Sequence, residues 1–168
     1  MKIPISALAV SLLVVGPFIP AATAQMPAAI SAPGEAPILT VRAVGAQIYE
    51  CRADGGGKLV WQLREPIAAL IFEGKTIGRH YGGPTWELAD GSAITGKVSA
   101  RAPGATAKDI PLLKLEVVSR RGSGQLSGVT TIQRINTKGG MAEGPCEAEG
   151  ELLGVPYLAD YVFLQKGA

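Results

Sequence analysis

Histidine occurs once in this chain, at His80, and cysteine twice, at Cys51 and Cys146. A zinc site ordinarily recruits three or four His, Cys or carboxylate ligands. With so few donors, only His80 with Glu87, Asp90 or a distant acid remains, which argues against a transition-metal centre. An excess of charge of one sign is also missing. The 16 basic and 14 acidic residues are interspersed and give a formal net charge of +2, so neither nucleic acid nor an anionic membrane is favoured as partner. No stretch sustains an apolar stripe at helical spacing. Residues 65–72 (EPIAALIF) are the single helix candidate and read equally well as a buried strand. No serine stands in a GxSxG elbow, and no internal repeat is evident.

An uninterrupted apolar run of the roughly 20 residues that span a bilayer is lacking as well. The first residues, MKIPISALAVSLLVVGPFIPAATAQ, carry one cation at Lys2, an apolar run over residues 3–19 broken by Pro17, and Ala22-Thr23-Ala24 before Gln25. That is the pattern of a secretory signal peptide over residues 1–24, cleaved after Ala24. No cysteine follows the cleavage point, so a lipoprotein anchor is not indicated, and no integral membrane segment remains after cleavage. The protein is expected to be exported, either periplasmic or secreted. Without Lys2 the balance is 15 basic against 14 acidic residues. The remaining chain, about 144 residues, fits one domain with a core large enough to need no cofactor. Both cysteines fall in the exported part, where an even count predicts a disulfide. Closing a loop of about 95 residues contributes on the order of 4 to 5 kcal/mol in the chain-entropy account.

Residues 25–37 (QMPAAISAPGEAP) are rich in alanine and proline without periodicity and read as a flexible lead-in. A single β-domain is expected over residues 38–168. Within it, Leu59, Trp61 and Leu63 share one parity, as do Ile94, Val98 and Ala100, then Leu113, Leu115 and Val117, and finally Val155, Tyr157, Ala159, Tyr161 and Phe163. Alternation of this kind puts one set of side chains inward and the other toward water. Glycine clusters at Asp54-Gly55-Gly56-Gly57, Asp90-Gly91, Gly122-Ser123-Gly124 and Gly139-Gly140 separate these runs and suit hairpins. The expectation is an all-β fold, one antiparallel barrel or sandwich of about eight to ten strands.

Two phosphate-loop lookalikes fail on context. GSGQLSG (residues 122–128) is followed by the β-favouring Val129-Thr130-Thr131-Ile132, where a dinucleotide fingerprint needs a helix to begin. GGGK (residues 55–58) lacks the following Ser or Thr and leads into another strand.

One stretch concentrates the chemistry: HYGGPTWELADGS, residues 80–92, holds the histidine, one of the two tryptophans and two carboxylates. His80 is a candidate general base for a hydrolase, oriented by Asp90 or Asp160. Asp90 before Gly91 is also what a hairpin corner requires. Tyr81 and Trp86 beside the imidazole either line a small pocket in a barrel mouth or cap the core with their polar tips bonded to carbonyls. Arg134 is a long cation among Thr130, Thr131, Gln133 and Asn136. It projects from the wet face, pairs with Glu87 or Asp160 inside the barrel, or grips a ligand carboxylate.

GAQIYEC (45–51), GRHYGGPTWELADGS (78–92), TTIQRINTKGG (130–140), PCEAEG (145–150) and VPYLADYVF (155–163) resemble, in order, the landmarks of a family of small exported bacterial and fungal proteins catalogued only as a domain of unknown function. The resemblance covers nearly all of the exported chain and implies export and a single compact domain. It implies no activity. Some fungal members have been labelled malate dehydrogenase, which the missing dinucleotide fingerprint does not support here. The family often places a tryptophan before the leucines where this chain has Pro111-Leu112-Leu113, so no aromatic role attaches to Leu112. The leading reading is a non-enzymatic exported β-domain that binds a small molecule or cell-envelope component through His80, Tyr81, Trp86, Glu87 and Arg134, with no cofactor. A hydrolase using His80 and an interaction module that pairs an exposed sheet edge with a protein partner are the alternatives.

Overall fold

A computed structural model of the protein describes residues 26–142 and 144–167; the expected signal peptide lies outside the described residues. The period-two runs become eight strands: β1 (Glu35–Ala53), β2 (Leu59–Phe72), β3 (Lys75–Tyr81), β4 (Thr85–Leu88), β5 (Ala93–Ala102), β6 (Leu112–Arg121), β7 (Thr131–Gly139) and β8 (Leu152–Lys166). Each pairs antiparallel with its neighbours in sequence, and β1 pairs back onto β8, closing the sheet into a barrel. The barrel, rather than the sandwich, is therefore the form taken by the expected all-β fold. The ambiguous EPIAALIF segment is the second half of β2. Every strand has two neighbours, but β2 pairs with β3 only from Ala68 onward, so residues 61–67 have β1 alone beside them and keep an open ladder of the kind the edge-pairing alternative needs.

Turn chemistry explains the short connections. Glu73 (φ 48°) and Gly74 (φ 76°) both take positive φ between β2 and β3, the two-residue hairpin geometry that matches strand twist. Asp90 closes the β4–β5 corner in a different way. Its carboxylate accepts from Ser92 N (2.8 Å), Ser92 Oγ (2.6 Å) and Gln125 N (2.8 Å), so it ties that corner to the 122–130 turn between β6 and β7. These donors, the Ser92 hydroxyl foremost, hold its acidity below the ordinary carboxylate range. Asp90→Ala should lower unfolding free energy by about 1 to 2 kcal/mol, measured by urea titration; an unchanged midpoint would assign the corner's stability to Gly91 and the strands alone.

Inward residues fill the barrel as the parity predicts for its later strands. Leu113, Leu115, Tyr157, Ala159, Tyr161 and Phe163 join Val41, Leu70, Trp86, Ile94 and Ile132 in one core. The Leu59, Trp61 and Leu63 set departs from that expectation, because β2 overshoots the packed layer there. Leu63 is 55% exposed. Ala28–Ile30, within the segment read as a lead-in, forms a 3-10 turn, and Ile30 is fully buried. Its carbonyl accepts from Gln133 Nε2 at 2.6 Å, which buries an amide that strand parity alone places on the outer face.

The expected disulfide joins Cys51 to Cys146, with Cα atoms 5.7 Å apart. It pins the β7–β8 connection to the end of β1. Three further contacts hold the same loop: Cys51 N donates to Glu151 O (2.8 Å), Gly150 N to Cys51 O (2.9 Å) and Tyr49 OH to Gly140 O (2.7 Å).

Candidate functional site at the barrel mouth

The β3–β4 hairpin turns on Gly82-Gly83-Pro84, with Gly83 at φ 97°, a conformation that favours glycine. Its register pairs His80 with Trp86, Tyr81 with Thr85 and Arg79 with Glu87. Successive side chains on a strand point to opposite faces, so this register divides four of the five candidate residues between two environments, the fifth, Arg134, standing on β7.

His80 and Trp86 point inward and stack, ring centroids 4.4 Å apart at 13°. The Tyr161 ring meets both edge-on, at 5.0 Å and 5.1 Å. Such aromatic contacts add about 0.5 to 1.5 kcal/mol each beyond area burial. Only 2% of His80 is exposed. Its Nδ1 lies 2.8 Å from Thr85 O. A carbonyl only accepts, so Nδ1 carries the proton and Nε2 is left as the acceptor. Burial, reinforced by the Arg134 charge and opposed by the Thr85 carbonyl, lowers the His80 pKa to about 3. The imidazole is therefore neutral at physiological pH.

Arg134 projects from β7 between Leu113 and Tyr161 of the flanking strands and is 9% exposed. The wet-face reading is thus overturned. So is the pairing with Glu87 or Asp160, because both acids are engaged outside the barrel. Asp160 takes Arg42 Nε at 3.0 Å and Asn136 Nδ2 at 2.8 Å. Arg134 Nε instead donates to Pro111 O at 3.0 Å. The main-chain carbonyl before the leucines is what the guanidinium uses.

Tyr81 and Glu87 form a separate outer cluster. Tyr81 OH donates to Glu87 Oε2 (2.7 Å), which also takes Arg121 (3.0 Å) and Arg79 (3.2 Å). The Tyr81 hydroxyl, followed by the two guanidiniums, lowers the Glu87 pKa. This network is complete in itself and does not reach the interior.

The inner residues surround a cavity of about 470 Å³ that opens at the barrel mouth, with Gln47, His80, Trp86, Leu115, Arg134 and Tyr161 among its walls. That volume lies within the roughly 300–1,000 Å³ of small-molecule pockets. Gln47 Nε2 and Trp86 Nε1 are buried without a hydrogen-bond partner; the Tyr161 oxygen lies in reach of the Tyr157 hydroxyl and the Arg134 guanidinium, and its own proton has no acceptor. Burial raises the Tyr157 and Tyr161 pKa values further, so both phenols stay protonated. Gln47 was not picked out from sequence, although its parity with Tyr49 and Cys51 on β1 marks it as inward. A depression of about 410 Å³ on the outer face contrasts with this one. Of its two acids, Glu35 and Glu116, Glu35 already accepts from Thr130 (2.8 Å) and Thr131 (3.0 Å).

Residues 32–165, which contribute every wall of the cavity, match the family model described as "Protein of unknown function (DUF3455)". The chain belongs to the DUF3455 family. No curated protein and no solved structure matches it significantly. The family resemblance expected from the five sequence blocks is thereby shown, and it brings no activity with it.

The geometry of this DUF3455 protein disfavours the hydrolase. A triad needs a carboxylate on Nδ1 and a nucleophile on Nε2, whereas Nδ1 is spent on a carbonyl. Asp90 serves the β4–β5 corner and Asp160 serves Arg42. A base that protonates only near pH 3 is also far from the operating range of general-base catalysis.

Proposed function

We propose that this DUF3455 protein is an exported, non-enzymatic barrel that holds a small molecule or envelope component in the cavity at its mouth. One observation carries the reading. Three buried donors on residues that line the cavity, Gln47 Nε2, Trp86 Nε1 and Tyr161 OH, have no acceptor in the protein. An unsatisfied buried donor costs about 1 to 3 kcal/mol, and native folds keep few of them. A bound molecule that accepts from these donors accounts for their retention. The disulfide between Cys51 and Cys146 is in keeping with export.

The test is a thermal-melt screen of the oxidised protein against organic acids, sugars, lipids and nucleotides. A compound at about one hundred times its dissociation constant should add about 2.7 kcal/mol. The shift should vanish in Val98→Trp, which fills the cavity from β5, and persist in Glu87→Gln on the outer face. A shift lost in Glu87→Gln and kept in Val98→Trp would move the site to the outer cluster. No shift with any class would remove the binding reading.

A further inference from the structure

We propose that the occupant of the cavity is an organic monoanion, with a carboxylate seated on Arg134 and a hydrocarbon body lying along Leu113, Leu115 and Val98. The inference rests on the binding reading above and adds the chemical class. Its first support is charge. Arg134 is a buried guanidinium, and no carboxylate among the described residues pairs with it. A buried charge without a counter-charge is strongly disfavoured, and the neighbouring His80 is neutral. The interior therefore lacks one negative charge, and a ligand carrying one supplies it.

Donor geometry is the second support. Arg134 Nε is committed to Pro111 O, which leaves the two terminal nitrogens of the fork, beside the Tyr161 oxygen. A guanidinium edge matches the two oxygens of a carboxylate. Tyr161 OH lies beside Arg134 on the paired strand, and Trp86 Nε1 and Gln47 Nε2 complete a set of donors. His80 Nε2, an acceptor, is the exception; it suits a hydroxyl on the ligand or repels a second anionic oxygen. A phosphate monoester at its usual charge of about −2 brings more charge than a single guanidinium cancels, so the interior selects against it.

The walls and the mouth supply the rest. Val98, Ile110, Leu113, Leu115 and Met141 line the same cavity and offer an apolar lodging for a short chain or ring. At the mouth, Arg64 is paired with Glu65 at 3.6 Å, while Arg101 has no ion pair among the described residues. One uncompensated cation at the entrance draws anions inward.

The probes are decanoate, decanol and decyl phosphate, titrated calorimetrically into the oxidised protein. Decanoate should bind at least about tenfold tighter than decanol, the increment of a hydrogen bond to a charged group, and tighter than decyl phosphate. Arg134→Gln should bring decanoate to the level of decanol and leave decanol unchanged. If that variant does not fold, the three-probe comparison on the wild type still decides. Tyr161→Phe should weaken decanoate severalfold, as loss of one donor implies. Decanol binding as tightly as decanoate would overturn the inference and leave the cavity as a binding site. Decyl phosphate binding tightest would overturn the monoanion. If all three fail while a neutral compound class shifts the melt, this inference falls alone; if nothing shifts at all, it falls together with the binding reading.

Discussion

Replacing Cys51 and Cys146 together with serine should lower the melting midpoint by about 10 to 20 °C, from a loss on the order of 4 to 5 kcal/mol. The bridge spans 95 residues of sequence, so in the reduced unfolded chain a large loop gains freedom that the oxidised chain never has. The native side of the balance is small by comparison. Cys51 stays in β1 and keeps its two main-chain bonds to the 150–151 segment. The measurement is a pair of urea titrations, on the double-serine variant and on wild-type protein kept in reductant. Agreement between the two, with a shared loss of this size, supports the account. A loss under about 1 kcal/mol would mean that the Gly140 and Glu151 contacts already hold the loop in the unfolded ensemble. The same variant should weaken binding, because Met141, in the loop that the bridge secures, lines the cavity.

Acid should destabilise the protein well before its carboxylates titrate. Above about pH 6.5 the His80 imidazole is neutral both folded and unfolded and contributes no pH dependence. Below that, the unfolded chain takes up a proton that the fold refuses until about pH 3. Stability therefore falls with acidification by about 1.4 kcal/mol per pH unit across that window. Between pH 6.5 and 4.5 the loss is about 2.5 kcal/mol, and roughly 4 to 5 kcal/mol has gone by pH 3. Asp54, Asp90 and Asp109 have lowered pKa values through backbone and hydroxyl donors. Their contribution is present above the unfolded carboxylate pKa of about 4 and is lost only below it. Glu50 and Glu87, also lowered, add their share below about pH 5, so the window between pH 6.5 and 5 isolates the histidine. His80→Gln should flatten the stability profile between pH 6.5 and 5, whatever its own effect on absolute stability. Parallel slopes for variant and wild type would show that the imidazole is reached by water and protonates in the folded state.

The barrel was legible wherever alternation coincided with burial. Tyr157, Ala159, Tyr161 and Phe163 declared an inward face, and they form it. The site was only half legible, because residues adjacent in sequence within a strand are opposed in space. His80 and Trp86 belong inside, while Tyr81 and Glu87 belong to the outer network. The hairpin register that separates them is set by where the turn falls, and Gly82-Gly83-Pro84 marked that place. Arg134 shares parity with the core residue Ile132, yet its charge pointed outward; tertiary context prevailed over composition. Ile30 left no sequence signal at all. A lone apolar residue among alanines and prolines has no period, and only the groove it fills makes it structural.

The pairing of β1 with β8 sets an order in time. Glu35 lies opposite Lys166, so the first strand to be synthesised finds its second partner only when the last one arrives. Until then the ribosome-proximal half of the ring is unmade, and β1 presents a bare ladder of amides and carbonyls, the kind of surface that recruits stray strands. Contacts so remote in sequence also slow folding. A truncation that removes β8 therefore does more than delete one strand: it arrests the chain in its vulnerable, unclosed form.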